Sequence, residues 1–343
     1  MDKARFRWYE YAAFGAVTAV TALLCVCAGS VAVPVGKTLE IIGRAIAGLP
    51  AESGTYGAII LSVRLPRVLC VALTGAALSL CGGAMQGLLR NPLADGSTLG
   101  VSSGASLGAV LAMVLGVTFP GLPFAGTMIM AMLFAFLSLT LILFLAWGLD
   151  HSLATGTIIL IGVIFSMFVS SALSLLITSA GERLRSVTFW TMGSLASGSY
   201  VNALTLLAAL LVCGSVLLRL APELNAFALG EGNALHLGVP VKRVKLTVMI
   251  AVSMLIGVCV SIGGTIGFVG LVTPHVTRLI VGPNHRRLLP ASLFGGAVFL
   301  MLSDLVGRTL LSPVELPIGV VTSLIGAVVF VAVFYRAGKA GRR

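Results

Sequence analysis

The chain has 343 residues, 58% of them hydrophobic and only 10% charged, with a net charge of +11 and a mean hydropathy of +1.10. Soluble domains carry about 25% charged residues, so a water-soluble globule is excluded, and long unbroken apolar runs, rather than alternating ones, exclude a transmembrane barrel. The basic residues lie between the apolar runs, which fits membrane topology and contact with anionic membrane lipid, and speaks against nucleic acid as a partner.

Apolar windows of about 20 residues, the length that crosses a bilayer, fall at 10–32, 66–89, 98–118, 124–148, 154–178, 201–220, 244–263, 265–281, 288–307 and 315–335. The expected fold class is all-α, a polytopic membrane protein with about ten transmembrane helices, and residues 1–343 form a single transmembrane domain. The pair within 244–281 is the hardest to separate. The first window follows a basic start, as in a signal peptide, but it is long enough to span and no sharp A-x-A site follows. It is read as a retained first helix.

Alternating the loops from an inward N-terminus places Lys3, Arg5, Arg7, Arg90, Arg219, Lys242, Arg243, Lys245, Arg278, Arg286, Arg287, Arg336, Lys339, Arg342 and Arg343 inside. Lys37, Arg44, Arg64, Arg67, Arg183, Arg185 and Arg308 fall outside, a split of 15 to 7 among the 22 basic residues. The richer side is cytoplasmic, so both termini are expected there.

After the first window, "GKT" at 36–38 resembles the end of a phosphate-binding loop, but Val31 stands where the motif requires glycine. Nucleotide binding is rejected there, and no other candidate exists. Any active process must draw on an ion gradient or a separate ATPase subunit. Next comes "RLPR" at 64–67, outside, at the edge of the second window. Arginines three apart share a helix face, and Pro66 suits a first helical turn, where its missing N–H costs nothing. The residues alone leave headgroup anchoring and a docking rim equally open.

"LLRNPLADGSTLG" (88–100) interrupts two apolar runs on the cytoplasmic side. Asn91-Pro92 starts a turn, and Asp95-Gly96-Ser97 offers a turn and a helix cap. Gly100, Gly104 and Gly108 then recur every four residues, a small-residue face for close helix packing. Ser102 and Ser103 in the same run are alternatives for lining a translocation path. "STLGVSSG" (97–104) is echoed by "GTIGFVGL" (264–271), a weak sign of the inverted repeats common in transporters.

The longest cytoplasmic loop, "APELNAFALGEGNALHLGVPVKR" (221–243), mixes small, apolar and glycine residues. That suits two short helices facing a partner, or a membrane-surface helix. In "GFVGLVTPHVTRLIVGPNHRR", Pro274 marks a kinked helix, and His275 and His285 lack ligand spacing and are read as structural. Of the acids in or beside the spans, only Asp304 and Glu315 stand out, near the outer ends of the last two; Asp304 and Arg308 are placed to pair at four residues' spacing. A nearly bare middle argues against an ion-coupled carrier. The six cysteines all lie in apolar runs without metal or disulfide spacing.

Taken together, "RLPR" (64–67), residues 75–105 with "MQ" and "RNPLAD" followed by "LGVSSGA", "GFVGLVTPH" (267–275), "HRRLLP" (285–290) and "DLVGRTLLSPVELPIG" (304–319) resemble the FecCD-type permease family. These are the membrane subunits of ATP-driven importers of iron–siderophore complexes, haem and cobalamin. Gly96 departs from the family, where proline is frequent. The resemblance implies a type II ABC importer permease fold in a bacterial inner or plasma membrane. It also implies a dimer with an identical or related second permease, two cytoplasmic ATPase subunits and an extracytoplasmic substrate-binding protein. By this resemblance Arg64, Arg67 and Arg308 match the arginines that meet acidic residues of the binding protein. Residues 221–243 match the loop seated on the ATPase, with Leu229, Gly230, Glu231, Ala234 and Gly238 as contacts. The permease is expected to be no enzyme and to need no cofactor or metal. Ferric siderophore is the first expected substrate; haem, cobalamin, an oxyanion and, for another class, an ion-coupled carrier are the alternatives.

Overall fold

The computed structural model describes residues 6–29, 33–49, 54–96, 100–118, 125–151 and 154–340, with the side chains of 333–340 excepted. Val31, Ser97 and the topology residues Lys3, Arg5, Arg342 and Arg343 lie outside the described residues, as do the side chains of Arg336 and Lys339.

In chain order the helices are α1 (Trp8–Cys27), α2 (Val35–Ile46), α3 (Thr55–Ala58), α4 (Leu65–Leu89), α5 (Val101–Leu115), α6 (Ala125–Leu149), α7 (Thr155–Thr178) and α8 (Leu184–Thr191). They continue as α9 (Tyr200–Arg219), α10 (Ala221–Phe227), α11 (Glu231–His236), α12 (Val241–Gly263), α13 (Val269–Val281), α14 (His285–Thr309) and α15 (Ile318–Ala340). Each of the ten apolar windows coincides with one of these helices. Seven are long and apolar enough to cross a membrane, with Thr55–Leu89 taken as one; α5, α13 and the Ile318–Ala332 part of α15 are shorter.

Pro66 is the second residue of α4, in its first turn as expected, but α4 does not start from a loop. The helix already begins at Thr55 and runs through a π-helical stretch, Ile59–Arg64, into α4. Proline lacks an N–H and its ring crowds the carbonyl four residues earlier, so the ladder widens just ahead of it.

The centre of the bundle is α4, whose apolar window is 78% buried, as is that of α12. Gly75 of α4 meets Gly296 of α14, and Gly82 of α4 meets Gly270 of α13, backbone against backbone with no room for a Cβ. In a bilayer, where lipid is as apolar as leucine, such close approach holds helices together. Gly104 and Gly108 of α5 seat α5 on α6 in the same way. By contrast α1, α6, α7 and α9 leave most of their apolar windows uncovered, as hydrocarbon-facing helices do. The division within 244–281 falls at Gly264–Phe268, where Gly264 and Phe268 both have φ of +67°.

Candidate functional site

Three arrangements connect the sequence candidates: a cavity inside the bundle, an arginine cluster near one end and a helical hairpin at the other.

The cavity, about 270 Å³, is lined by Thr74 of α4, Asp95, Ser102, Ser103 and Ser106 of α5, Ser170 of α7 and the α12–α13 break around Thr265. Thr74 lies within α4, nine residues from Leu65 and fifteen from Leu89, about 14 and 22 Å along its axis, and so away from both ends of a hydrocarbon layer about 30 Å thick. The segment after α4 therefore folds back into the bundle. Arg90 reverses the chain with φ +51°, and Asn91 Oδ1 accepts from Leu93 N at 2.9 Å while its carbonyl accepts from Ala94 N at 3.0 Å. Gly96 then packs on Ile256 with no space for a Cβ, which accounts for glycine at this position.

This corrects the expectation of a nearly bare middle. Asp95, read from sequence as part of a surface turn, sits among membrane-embedded hydroxyls, beside the first turn of α13. The only sequence signal was an acid between two apolar runs too closely spaced for a long loop. Two short helices, α5 and α13, begin at this cavity. Their first residues follow Gly100 (φ +71°) and Phe268, and neither helix has a side-chain cap. The positive dipole end of each helix faces the same space. The echoed stretches thus open two half-length helices that converge, although Ser97 to Leu99 lie outside the described residues. Ser102 and Ser103 line the cavity, Gly104 packs, and Gly100 reverses the backbone.

The three arginines come together, but inside the protein. Arg64, Arg67 and Arg308 are 5%, 8% and 5% exposed. Arg64 Nη1 donates to the carbonyls of Val26 and Cys27, each at 2.9 Å. Arg308 Nη2 donates to Cys25 O at 3.0 Å and Nη1 to Ala28 O at 3.4 Å. The last carbonyls of a helix have no partner of their own, and here two guanidiniums supply it for α1. Arg67 donates through Nε and Nη2 to Asp304 Oδ1 at 3.1 and 2.9 Å, and through Nη1 to Glu315 Oε2 at 2.8 Å. Arg308 Nε lies 2.9 Å from Asp304 Oδ2, so the Asp304–Arg308 pairing expected from their spacing is present. The guanidiniums are not a bare rim; only Glu315, with its side chain 49% exposed, reaches solvent-accessible space.

Residues 221–243 contain α10 and α11. Asn225 ties α10 to α14: its Oδ1 accepts from His285 N at 2.8 Å and lies 2.9 Å from His285 Nδ1, and its Nδ2 donates to Asn284 Oδ1 at 2.8 Å. Glu231 ties α11 to two further helices. Lys245 Nζ of α12 donates to its Oε2 at 2.7 Å, and Thr155 Oγ1, at the start of α7, to its Oε1 at 2.8 Å. Of the five contact candidates, Leu229 and Gly238 are exposed and Gly230 is half-buried, while the Glu231 carboxylate turns inward and Ala234 is fully buried. The outward apolar surface is Leu229, Leu235 and Leu237, at 62%, 61% and 64% exposure. Sequence reasoning missed the last two, whose signal was leucine recurring at 235 and 237 in a loop that water should have made polar.

The model of the FecCD transport family matches residues 17–336. An uncharacterised ABC transporter permease, YvrB of Bacillus subtilis (strain 168), is 40% identical over 98% of this chain and 97% of its own. The molybdate import permease MolB of Haemophilus influenzae is 38% identical, covering 82% of each chain. The cobalamin import permease BtuC of Halobacterium salinarum is 36% identical over 87% of this chain and 84% of its own. Among solved structures, one described as a metal-chelate type ABC transporter in an inward-facing conformation superposes with a TM-score of 0.83 at 33% identity, covering 94% of this chain and 98% of that one. The chain belongs to the FecCD transport family, as a multi-pass membrane permease of the ABC importer type.

Proposed function

We propose that this permease carries a bulky metal chelate inward, handed over by an extracytoplasmic binding protein and driven by two separate cytoplasmic ATPase subunits, with a second permease copy completing the pathway. The termini and the α10–α11 hairpin then face the cytoplasm. The observation that carries this reading is the hairpin: it offers three exposed leucines to a partner while Glu231 and Asn225 tie it to α7, α12 and α14. A partner that moves the hairpin moves the helices around the mid-membrane cavity. The permease supplies no hydrolytic chemistry in this scheme.

Hydroxyl groups and one carboxylate favour passage of a polar cargo through many weak contacts. Ferric siderophore is the first substrate class proposed, with haem and cobalamin beside it; the two helix N-termini at the cavity keep an oxyanion such as molybdate as an alternative. On the outer side, the binding protein is proposed to dock over the Arg64–Arg67–Arg308 cluster, with a partner carboxylate replacing exposed Glu315 on Arg67, where a guanidinium donates to two carboxylate oxygens at once.

The test is ATP hydrolysis and uptake by the permease reconstituted with its ATPase, with and without binding protein loaded in turn with ferric siderophore, haem, cobalamin or molybdate. Stimulation by one loaded chelate supports the reading; stimulation by molybdate alone overturns its substrate half. Uptake that follows a proton gradient and ignores ATP would favour an ion-coupled carrier built on Asp95.

A further inference from the structure

A second cavity, about 460 Å³, lies between α6, α9 and α12 and shares no lining residue with the first. Its floor is made of small residues, Ala135, Ala209 and Gly257, and its walls include Phe136, Val212 and Met254. Apart from Ser253, every lining residue is apolar, so water gains too few hydrogen bonds to fill it. Phe136, Val212 and Met254 are 58%, 65% and 54% exposed, so the groove opens sideways, away from the bundle. It opens between helices whose apolar windows are only 28% buried in α6 and α9.

Helical phase connects this groove to charge. Val212 and Arg219 of α9 are seven residues apart, and so are Arg243 and Ile250 of α12; seven residues return a helix to nearly the same face. Both arginines therefore lie in line with the groove, about 10 Å beyond its end, on the side of the α9–α12 hairpin. Lys242 is eleven residues from Ser253 and shares that face as well. On α6 the same count joins Phe136 to Trp147, exposed at the same end of the bundle, where interfacial tryptophans belong. Arg219, Lys242 and Arg243 are exposed, and none pairs with an acid among the described residues. From Arg219 to Ala208 is about 16 Å, and from Arg243 to Val258 on α12 about 22 Å, so arginines and groove together reach through at least one leaflet, about 15 Å deep.

We infer that this groove seats an acyl chain of an anionic phospholipid, whose phosphate rests on Arg219 and Arg243. The apolar trough takes the chain and the two guanidiniums take the phosphate oxygens. A neutral lipid satisfies only half of this arrangement.

The experiment is native mass spectrometry of the full-length chain released from detergent after incubation with phosphatidylglycerol or with phosphatidylcholine of the same acyl chains. One phosphatidylglycerol is expected to stay bound where phosphatidylcholine dissociates. Removing both guanidiniums, in Arg219→Gln/Arg243→Gln, should weaken phosphatidylglycerol retention about 30-fold. Ala208→Phe, which fills the trough, should lower retention of both lipids. Equal retention of the two lipids by the unaltered chain, which needs no variant to fold, overturns the assignment. So does full phosphatidylglycerol retention by the double glutamine variant. Disulfide cross-linking between copies of an Ala208→Cys variant would show that a second permease covers the groove, and would overturn it too. Loss of ATPase assembly in the double variant with unchanged lipid retention would give the cations to that partner instead.

Discussion

The Nζ of Lys245 lies 2.7 Å from Glu231 Oε2, with the lysine side chain 2% exposed and the glutamate 36%. This pair joins the first residue of α11 to the first turns of α12, and the second oxygen of Glu231 holds Thr155 at the start of α7. Breaking a buried pair leaves a charge without compensation. Glu231→Gln should cost about 3 kcal/mol, and adding Lys245→Met should restore much of it. Thermal unfolding of the four members of this cycle measures the coupling; additive losses would mean that the pair does not act as one unit.

Thr155 is the link on the α7 side. Thr155→Val removes only the hydroxyl, so the fold should hold while motion passes less well from hairpin to helix. Uptake per ATP hydrolysed is expected to fall about fivefold, a coupling loss near 1 kcal/mol. Equal loss of hydrolysis and uptake would indicate impaired assembly instead.

Leu235 was not visible as a contact from sequence, yet it is 61% exposed. If the ATPase buries it, Leu235→Ala should weaken assembly by about 2 kcal/mol, or about 30-fold in Kd. Ala234→Ser, one residue earlier but fully buried, should act on stability rather than on assembly. Binding of purified ATPase to both variants separates the two, and normal assembly of Leu235→Ala would remove the leucine face from the interface.

At the other end, Asp304 lies between Arg67 and Arg308. Asp304→Asn leaves two buried guanidiniums short of charge and should cost about 3 kcal/mol. Glu315→Gln, at a half-exposed carboxylate, should cost under about 1 kcal/mol. Unfolding temperatures in detergent give the order, and the reverse order would contradict the network. Docking over Arg67 predicts further that Glu315→Gln leaves binding-protein affinity the same or stronger, since it removes a competitor.

Ser103 lines the mid-membrane cavity and is only half-buried. Ser103→Phe should block uptake while the assembled complex keeps its basal ATP hydrolysis. Undiminished uptake would place the path elsewhere.

The ten apolar windows, the α10–α11 hairpin and the Asp304–Arg308 pair were all legible in the sequence, because each depends on neighbours within a few turns. The short helices α2 and α8 were not: they lie in the polar interruptions at 33–65 and 179–200, where no long apolar run marks them. The arginines show the limit most plainly. Spacing alone put Arg64 and Arg67 on one face and left their partners open. Those partners are carbonyls at the end of α1 and an acid on α14, 37 to 38 and 237 residues away in the chain. Likewise, nothing local says that Asp95 enters the bundle; Gly96 against Ile256 and Gly82 against Gly270 do that.

The sequence by itself determined that this chain lives in a membrane, where its apolar helices run and which family it resembles. Those follow from apolar run lengths, charge placement and short motifs, all local properties. Only the tertiary structure decided which polar groups face a cavity, which are spent on partners inside the protein and which remain for lipid or protein outside. In a medium without water each buried donor, acceptor or charge must find its partner within the fold, and that partner is chosen by packing across the whole chain.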